Sequence, residues 1–100
     1  EEMAMVVPGV HPGRVTAFGV FNEENGTEDV VLVAEVDTEG LDERERIAEQ
    51  IRNVVTRGSA IALREVYVVG SNWLVKTSSG KNARFYNRQK YLAEINLNNI

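Results

Sequence analysis

The spacing of hydrophobic and polar positions changes several times along the chain, and each change marks a predicted element. Residues 1–7 (EEMAMVV) read as the closing turns of a helix, stopped by Pro8-Gly9, with His11-Pro12-Gly13 as a second breaker. In the GRVTAFGVF stretch that follows, Val15, Ala17, Gly19 and Phe21 alternate with Thr16, Phe18 and Val20. Both sets are largely apolar, which predicts a central strand. Asn25-Gly26 tolerates positive φ in a tight turn and leads into DVVLVAEV, a β-branched run of strand length. The two runs predict a hairpin. Asp42 then opens a predicted helix with Glu45 at the capping-box position, and Leu41, Ile47, Ile51, Val54 and Val55 recur at helical spacing until Gly58.

Glu65 to Val69 reads as a third strand, joined to the second through that helix. Such a β-α-β unit predicts parallel pairing with a right-handed crossover. A loop from Gly70 to Gly80 precedes a last predicted helix, about Asn82 to Ile95, which could turn Phe85, Tyr91, Leu92 and Ile95 toward the sheet. The pattern predicts an α+β fold: a small two-layer domain over residues 1–100, with a mixed three-stranded sheet and about three helices. No repeat, low-complexity segment or linker interrupts it.

Composition narrows the class without changing the fold. The chain is 43% apolar and 26% charged, ordinary for a globular domain and too apolar for a disordered one. With no cysteine, disulfides and thiolate metal sites are excluded, which fits a reducing, cytoplasmic setting. The longest apolar runs, such as Val30 to Ala34, fall far short of the roughly 20 residues a membrane span needs. The acidic start at Glu1-Glu2 has neither the basic region of a signal peptide nor an initiator methionine, and reads as a cut inside a longer protein.

The net charge of −4 conceals an asymmetry. Residues 1–50 carry three basic side chains against thirteen acidic ones, residues 51–100 eight against Glu65 and Glu94. The basic residues gather around 76–90 and point to an anionic ligand on that side. Nucleic acid is disfavoured, because no stacking aromatics alternate with the cluster.

The informative stretch is Leu74-Val75-Lys76-Thr77-Ser78-Ser79-Gly80-Lys81-Asn82-Ala83-Arg84. A Gly-Lys pair after small hydroxyl residues, at the opening of a helix, invites a phosphate reading, since backbone N–H groups there attract anions. The Walker pattern fails: Val75 stands where its first glycine belongs and Asn82 where Ser or Thr should follow the lysine. The stretch instead resembles the Pro-Lys-Thr-x-x-Gly-Lys-x-x-Arg motif near the end of adenylate-forming enzymes, among them acyl-CoA synthetases, fatty-acyl-AMP ligases and peptide-synthetase adenylation domains. Lys76, Thr77, Gly80, Lys81 and Arg84 match at the motif's spacing, while Val75 replaces its proline and Asn82 its aliphatic residue. Pro12 to Phe18 and Val31 to Glu35 are similar to the first two strands of that family's C-terminal domain, so the resemblance covers essentially the whole chain.

The resemblance implies the C-terminal domain of an acid-thiol ligase that joins a carboxylate to the α-phosphate of ATP, with Mg in the complete enzyme, and releases pyrophosphate. The acyl group then passes to the thiol of coenzyme A or of carrier-protein phosphopantetheine. The implied partners are the enzyme's own N-terminal adenylation domain, a carboxylic acid of the fatty type, and an acyl carrier protein. The KTSSGK form leans toward acyl ligases over amino-acid adenylation domains. Lys81 is the implied catalytic residue, with Lys76, Thr77, Ser78, Ser79, Gly80 and Arg84 forming the substrate and phosphate loop. Isolated, the domain is expected to be inactive, with no ligand or metal of its own.

Blander readings stand beside these. Lys81 could be a solvated lysine, although a helix N-terminus disfavours a cation and so calls for a functional reason. Thr77, Ser78 and Ser79 read more as loop-shaping and capping residues than as catalytic groups. Lys76 and Arg84 read equally as phosphate or interdomain contacts and as surface salt-bridge residues. His11 reads as structural or exposed, Trp73 as core, and Glu35 as an edge or satisfied carboxylate. The alternative to a ligase fragment is a stand-alone interaction or phosphate-binding module that kept the fold without catalysis.

Overall fold

The computed structural model describes residues 7–58, 63–76 and 83–98. The helix expected over residues 1–7 and the His11 side chain lie outside that description. The elements run β1 (Val10–Asn22), β2 (Thr27–Val36), α1 (Leu41–Gly58), β3 (Leu63–Val69) and α2 (Arg84–Asn98).

Strands β1 and β2 form the expected hairpin, Asn22 pairing with Thr27. Gly26 adopts φ +66° and its N–H donates to the Asn22 carbonyl at 2.9 Å, while the Asn22 side chain accepts from the Glu24 N–H at 3.0 Å. The His11-Pro12-Gly13 breaker does not delay β1. Between Val10 and Val15 the strand advances five residues while β2 advances two, from Val36 to Ala34, and Gly13 takes φ +72° inside this irregularity. The breaker becomes a bulge, because the chain on either side still finds partners on β2.

Strand β2 also pairs with β3, in parallel, as the intervening helix predicts. The sheet order is β1-β2-β3, so the central strand is β2 and not β1. Both runs are apolar on both faces; β2 takes the middle because only it pairs on two edges. Its residues Val31 to Val36 are all buried.

Alternate β2 residues enter two different cores. Leu32, Ala34 and Val36 pack with Ile47, Ile51 and Val55 of α1, together with Val15 and Val66. Val31 and Val33 pack with Phe18, Val20, Val69, Leu74 and Tyr91 of α2. The period of two along a strand thus sends successive side chains to opposite helices. The α+β class and mixed sheet are as expected, with one helix covering each face.

The α1 stripe holds at Ile47, Ile51, Val54 and Val55 but not at Leu41, which is 75% exposed at the first turn. The helix starts one residue before Asp42: the Gly40 carbonyl accepts from the Arg44 N–H, and Thr38 Oγ accepts from the Gly40 N–H. On α2, Tyr91 is buried and Leu92 and Ile95 pack against its core, whereas Phe85 is 60% exposed. Leu92, seven residues on and within about 20° of Phe85 around the helix, still packs, so it is the place of Phe85 in the first turn of α2 and not its direction that leaves it exposed.

Candidate functional site

Thr77, Ser78, Ser79, Gly80 and Lys81 lie outside the described residues. The structure does describe the two ends between which they run, Lys76 and Ala83, together with the framework that holds those ends.

The approach begins at Glu35, near the end of β2. Its carboxylate is 1% exposed and fully engaged. Arg14 donates through Nε at 2.8 Å and a terminal guanidinium nitrogen at 2.9 Å, one to each oxygen. The Asn72 and Leu74 N–H groups donate to the same two oxygens at 3.1 and 2.7 Å. Burial alone would push this carboxyl up. The hydrogen bonds from Arg14, then those from Leu74 and Asn72, and finally the Arg14 charge outweigh it and hold the group below its ordinary value. Glu35 is therefore a satisfied anion that anchors the chain after β3. It is no general base, and it stands on the central strand, not at an edge. Asn72 makes the bend with φ +66°, a conformation asparagine tolerates better than most residues.

From there the chain is tied at every step. Leu74 is buried in the α2-side core. The Val75 N–H donates to Asn87 Oδ1 at 2.7 Å, and the Val75 carbonyl accepts both Asn87 Nδ2 at 3.1 Å and the Ala83 N–H at 2.9 Å. Lys76 extends its ammonium to the Gly13 carbonyl at 2.9 Å, strapping this end to the β1 bulge. Arg84 is exposed in the first turn of α2.

The basic cluster is largely consumed by the fold. Arg88 donates to the Gly19 carbonyl at 2.8 Å and Lys90 to the Trp73 carbonyl at 2.6 Å. With Lys76, three of the basic residues from 76 to 90 bind backbone oxygens. Sequence reading took them as evidence of an anionic ligand, and the structure shows that much of this charge docks α2 and its loop.

Trp73 is half-buried. Its indole N–H donates to Glu94 at 2.7 Å, Tyr67 donates to the other Glu94 oxygen at 2.6 Å, and Lys90 lies 4.6 Å from the indole centroid. Tyr91 donates to Glu65. These bonds, with the edge-on Tyr67–Tyr91 contact at 5.1 Å, fix α2 on the sheet. Among the described residues no group of His, Cys, Asp or Glu could hold a metal, and no helix is long and apolar enough to cross a membrane.

Asn87 was missed by sequence reasoning. It lies four residues before Tyr91 on the buried stripe of α2 and is itself fully buried. A polar residue at that spacing among apolar ones was the available signal.

The fold that carries these contacts is shared with parts of solved structures. The chain superposes with TM-score 0.82 at 22% identity on part of the structure of McyG A-PCP complexed with phenylalanyl-adenylate, over 94% of its own length and 17% of that chain. It superposes with TM-score 0.76 at 24% identity on part of a multidomain structure, with adenylation, ketoreductase and pseudo Asub domains, of a keto acid-selecting NRPS module, over 87% of its length and 7% of that chain. The fold is thus that of a small portion of adenylation-containing assemblies. No protein-family model and no curated protein matches the chain.

Proposed function

We propose that this chain is the C-terminal, lysine-bearing portion of an ATP-dependent adenylate-forming ligase. One conjunction carries the reading: the Lys76-Thr77-x-x-Gly80-Lys81-x-x-Arg84 spacing falls on the segment whose ends are joined by the Val75–Ala83 hydrogen bond, within a fold shared with adenylation-containing structures.

In this reading a carboxylate oxygen of the substrate attacks the α-phosphorus of ATP. The bond to the β-phosphate oxygen breaks, and pyrophosphate leaves. Negative charge accumulates on the α-phosphate and its two bridging oxygens as this happens. The Lys81 ammonium, a compact point charge on a flexible stem, offsets that charge when the domain closes on its N-terminal partner. Positioning of cations is the main lever available to a protein in such transfers. Mg, the adenine pocket and the acyl pocket belong in this reading to the complete enzyme, as does the thiol acceptor, coenzyme A or a carrier-protein phosphopantetheine. The KTSSGK form supports a fatty or related acyl acid. The structures of similar fold carry a phenylalanyl-adenylate and select a keto acid, so amino and keto acids are the competing substrates. A cytoplasmic site of action is part of the same proposal.

The test is carboxylate-dependent exchange of pyrophosphate into ATP by the complete enzyme, with fatty, amino and keto acids as substrates. Lys81→Ala should lower the rate by about 100-fold or more, the scale of losing one aimed charge. Exchange unchanged in that variant would refute the role given to Lys81.

A further inference from the structure

The Asn87 carboxamide is fully buried on the α2 face that meets the sheet. Its neighbours on that stripe, Tyr91, Leu92 and Ile95, fill the core with a ring and aliphatic chains, and the one polar group among them, the Tyr91 hydroxyl, has its own partner in Glu65. A buried primary amide is costly unless its groups are bonded, so its presence calls for a polar reason. The reason is Val75. Oδ1 accepts the Val75 N–H at 2.7 Å and Nδ2 donates to the Val75 carbonyl at 3.1 Å, the two-point pairing a neighbouring strand would otherwise supply. The same carbonyl receives the Ala83 N–H at 2.9 Å, and the Asn87 N–H donates to the Ala83 carbonyl at 3.0 Å. The Asn87 carboxamide thus binds Val75 at the entering end of the lysine segment, while its main-chain N–H makes the ordinary helical bond to Ala83, and the Val75 carbonyl joins the two ends by accepting both Asn87 Nδ2 and the Ala83 N–H. Glu35 holds Asn72 and Leu74, farther from the lysine on the entering side.

We propose that Asn87 is a positioning residue that fixes the base of the lysine segment and so sets where the Lys81 ammonium can be delivered. The inference rests on the role given to Lys81 above. Lys81 stands two residues before Ala83 in the sequence, so the position of Ala83 bounds where the Lys81 ammonium can go. A misplacement of about 1 Å at a reacting group can cost on the order of 100-fold in rate. Such a loss falls on kcat, because the charge is needed at the transition state more than for binding ATP.

The experiment uses Asn87→Leu and Asn87→Asp in the complete enzyme, beside Lys81→Ala. Asn87→Leu should lower kcat for pyrophosphate exchange by about 10- to 100-fold while leaving KM for ATP and acid little changed. Amide hydrogen exchange at Val75 and Ala83 should accelerate. Asn87→Asp keeps the acceptor for the Val75 N–H but turns a second oxygen on the Val75 carbonyl. Protonation restores the donor, so its kcat relative to wild type should rise as pH is lowered. A folded Asn87→Leu enzyme with wild-type kcat, when Lys81→Ala is inactive, overturns the positioning role. If Asn87→Leu does not fold, a pH-independent ratio for Asn87→Asp overturns it equally. If instead Lys81→Ala is fully active, the lysine assignment fails, and unchanged exchange at Val75 and Ala83 would show that Asn87 does not hold the base either.

Discussion

Arg14 and Glu35 are twenty-one residues apart and meet in a bidentate ion pair of 2.8 and 2.9 Å, the arginine 23% exposed and the glutamate 1%. The pair sits where the β1 bulge, the end of β2 and the loop after β3 converge, so one carboxylate organises three segments of the chain.

Removing the arginine leaves that carboxylate buried without its counter-charge. Arg14→Leu should cost about 2–4 kcal/mol, somewhat below the roughly 3–5 kcal/mol of a fully buried broken pair because the guanidinium is partly solvated. Urea denaturation of both proteins measures it, and a loss below about 0.5 kcal/mol would show the pair to be dispensable.

The lowered pKa of Glu35 has a definite sign. The folded state holds the carboxyl below its ordinary value of 4.5, so its contribution is complete above that pH and is lost as pH falls through the depressed value. Glu35→Gln should therefore show a shallower loss of stability on acidification than wild type, read from urea midpoints measured down the acid range.

The alkaline branch has the opposite cause. Burial first, then the Glu94 hydrogen bond at Tyr67 and the Glu65 hydrogen bond at Tyr91, push both phenols above their ordinary value of 10.0. The stabilisation is present below that value and is lost as pH rises past it, because the unfolded chain ionises first. Tyr67→Phe and Tyr91→Phe should each flatten the alkaline fall of the unfolding midpoint.

Asn72 tests the bend. At φ +66° a β-branched residue is strained, so Asn72→Val should cost about 1–2 kcal/mol while Asn72→Gly stays near wild type. Equal stability of the two variants in urea would remove backbone strain as the reason for asparagine there.

The two aromatic types on α2 should separate cleanly. Phe85 and Tyr86 are 60% and 65% exposed, and replacing either with alanine should change stability by no more than about 0.5 kcal/mol. Tyr91→Ala removes a 2% exposed ring and should cost about 3–5 kcal/mol. Thermal or urea unfolding decides both.

Much of the fold was legible because its signals are local. The Asn25-Gly26 turn, the stripe of Ile47, Ile51 and Val55 and the Gly58 stop are each set by residues within a turn or two. The order of the strands was not legible, since β1 and β2 are equally apolar and only the parallel partner β3 separates them. For the candidate site, the lysine motif was visible as spacing, and of the two readings of Glu35, edge or satisfied, only the second holds. Its partners were not visible, and Asn87 was passed over because a single polar residue in an apolar stripe resembles noise until its bonds to Val75 are seen.

By itself the sequence determined the hairpin, the crossover helix, the third strand and the last helix, the α+β class and the Lys76-to-Arg84 spacing, since periodicity and turn chemistry act between near neighbours. Tertiary structure alone decided which strand is central, which cations are spent on carbonyls and what holds the lysine segment at its base. The bonds responsible join residues far apart in the chain: Leu74 to Glu35 across 39 positions, Lys76 to Gly13 across 63 and Arg88 to Gly19 across 69. Such partners are chosen when the helices close over the sheet, and no local pattern encodes them.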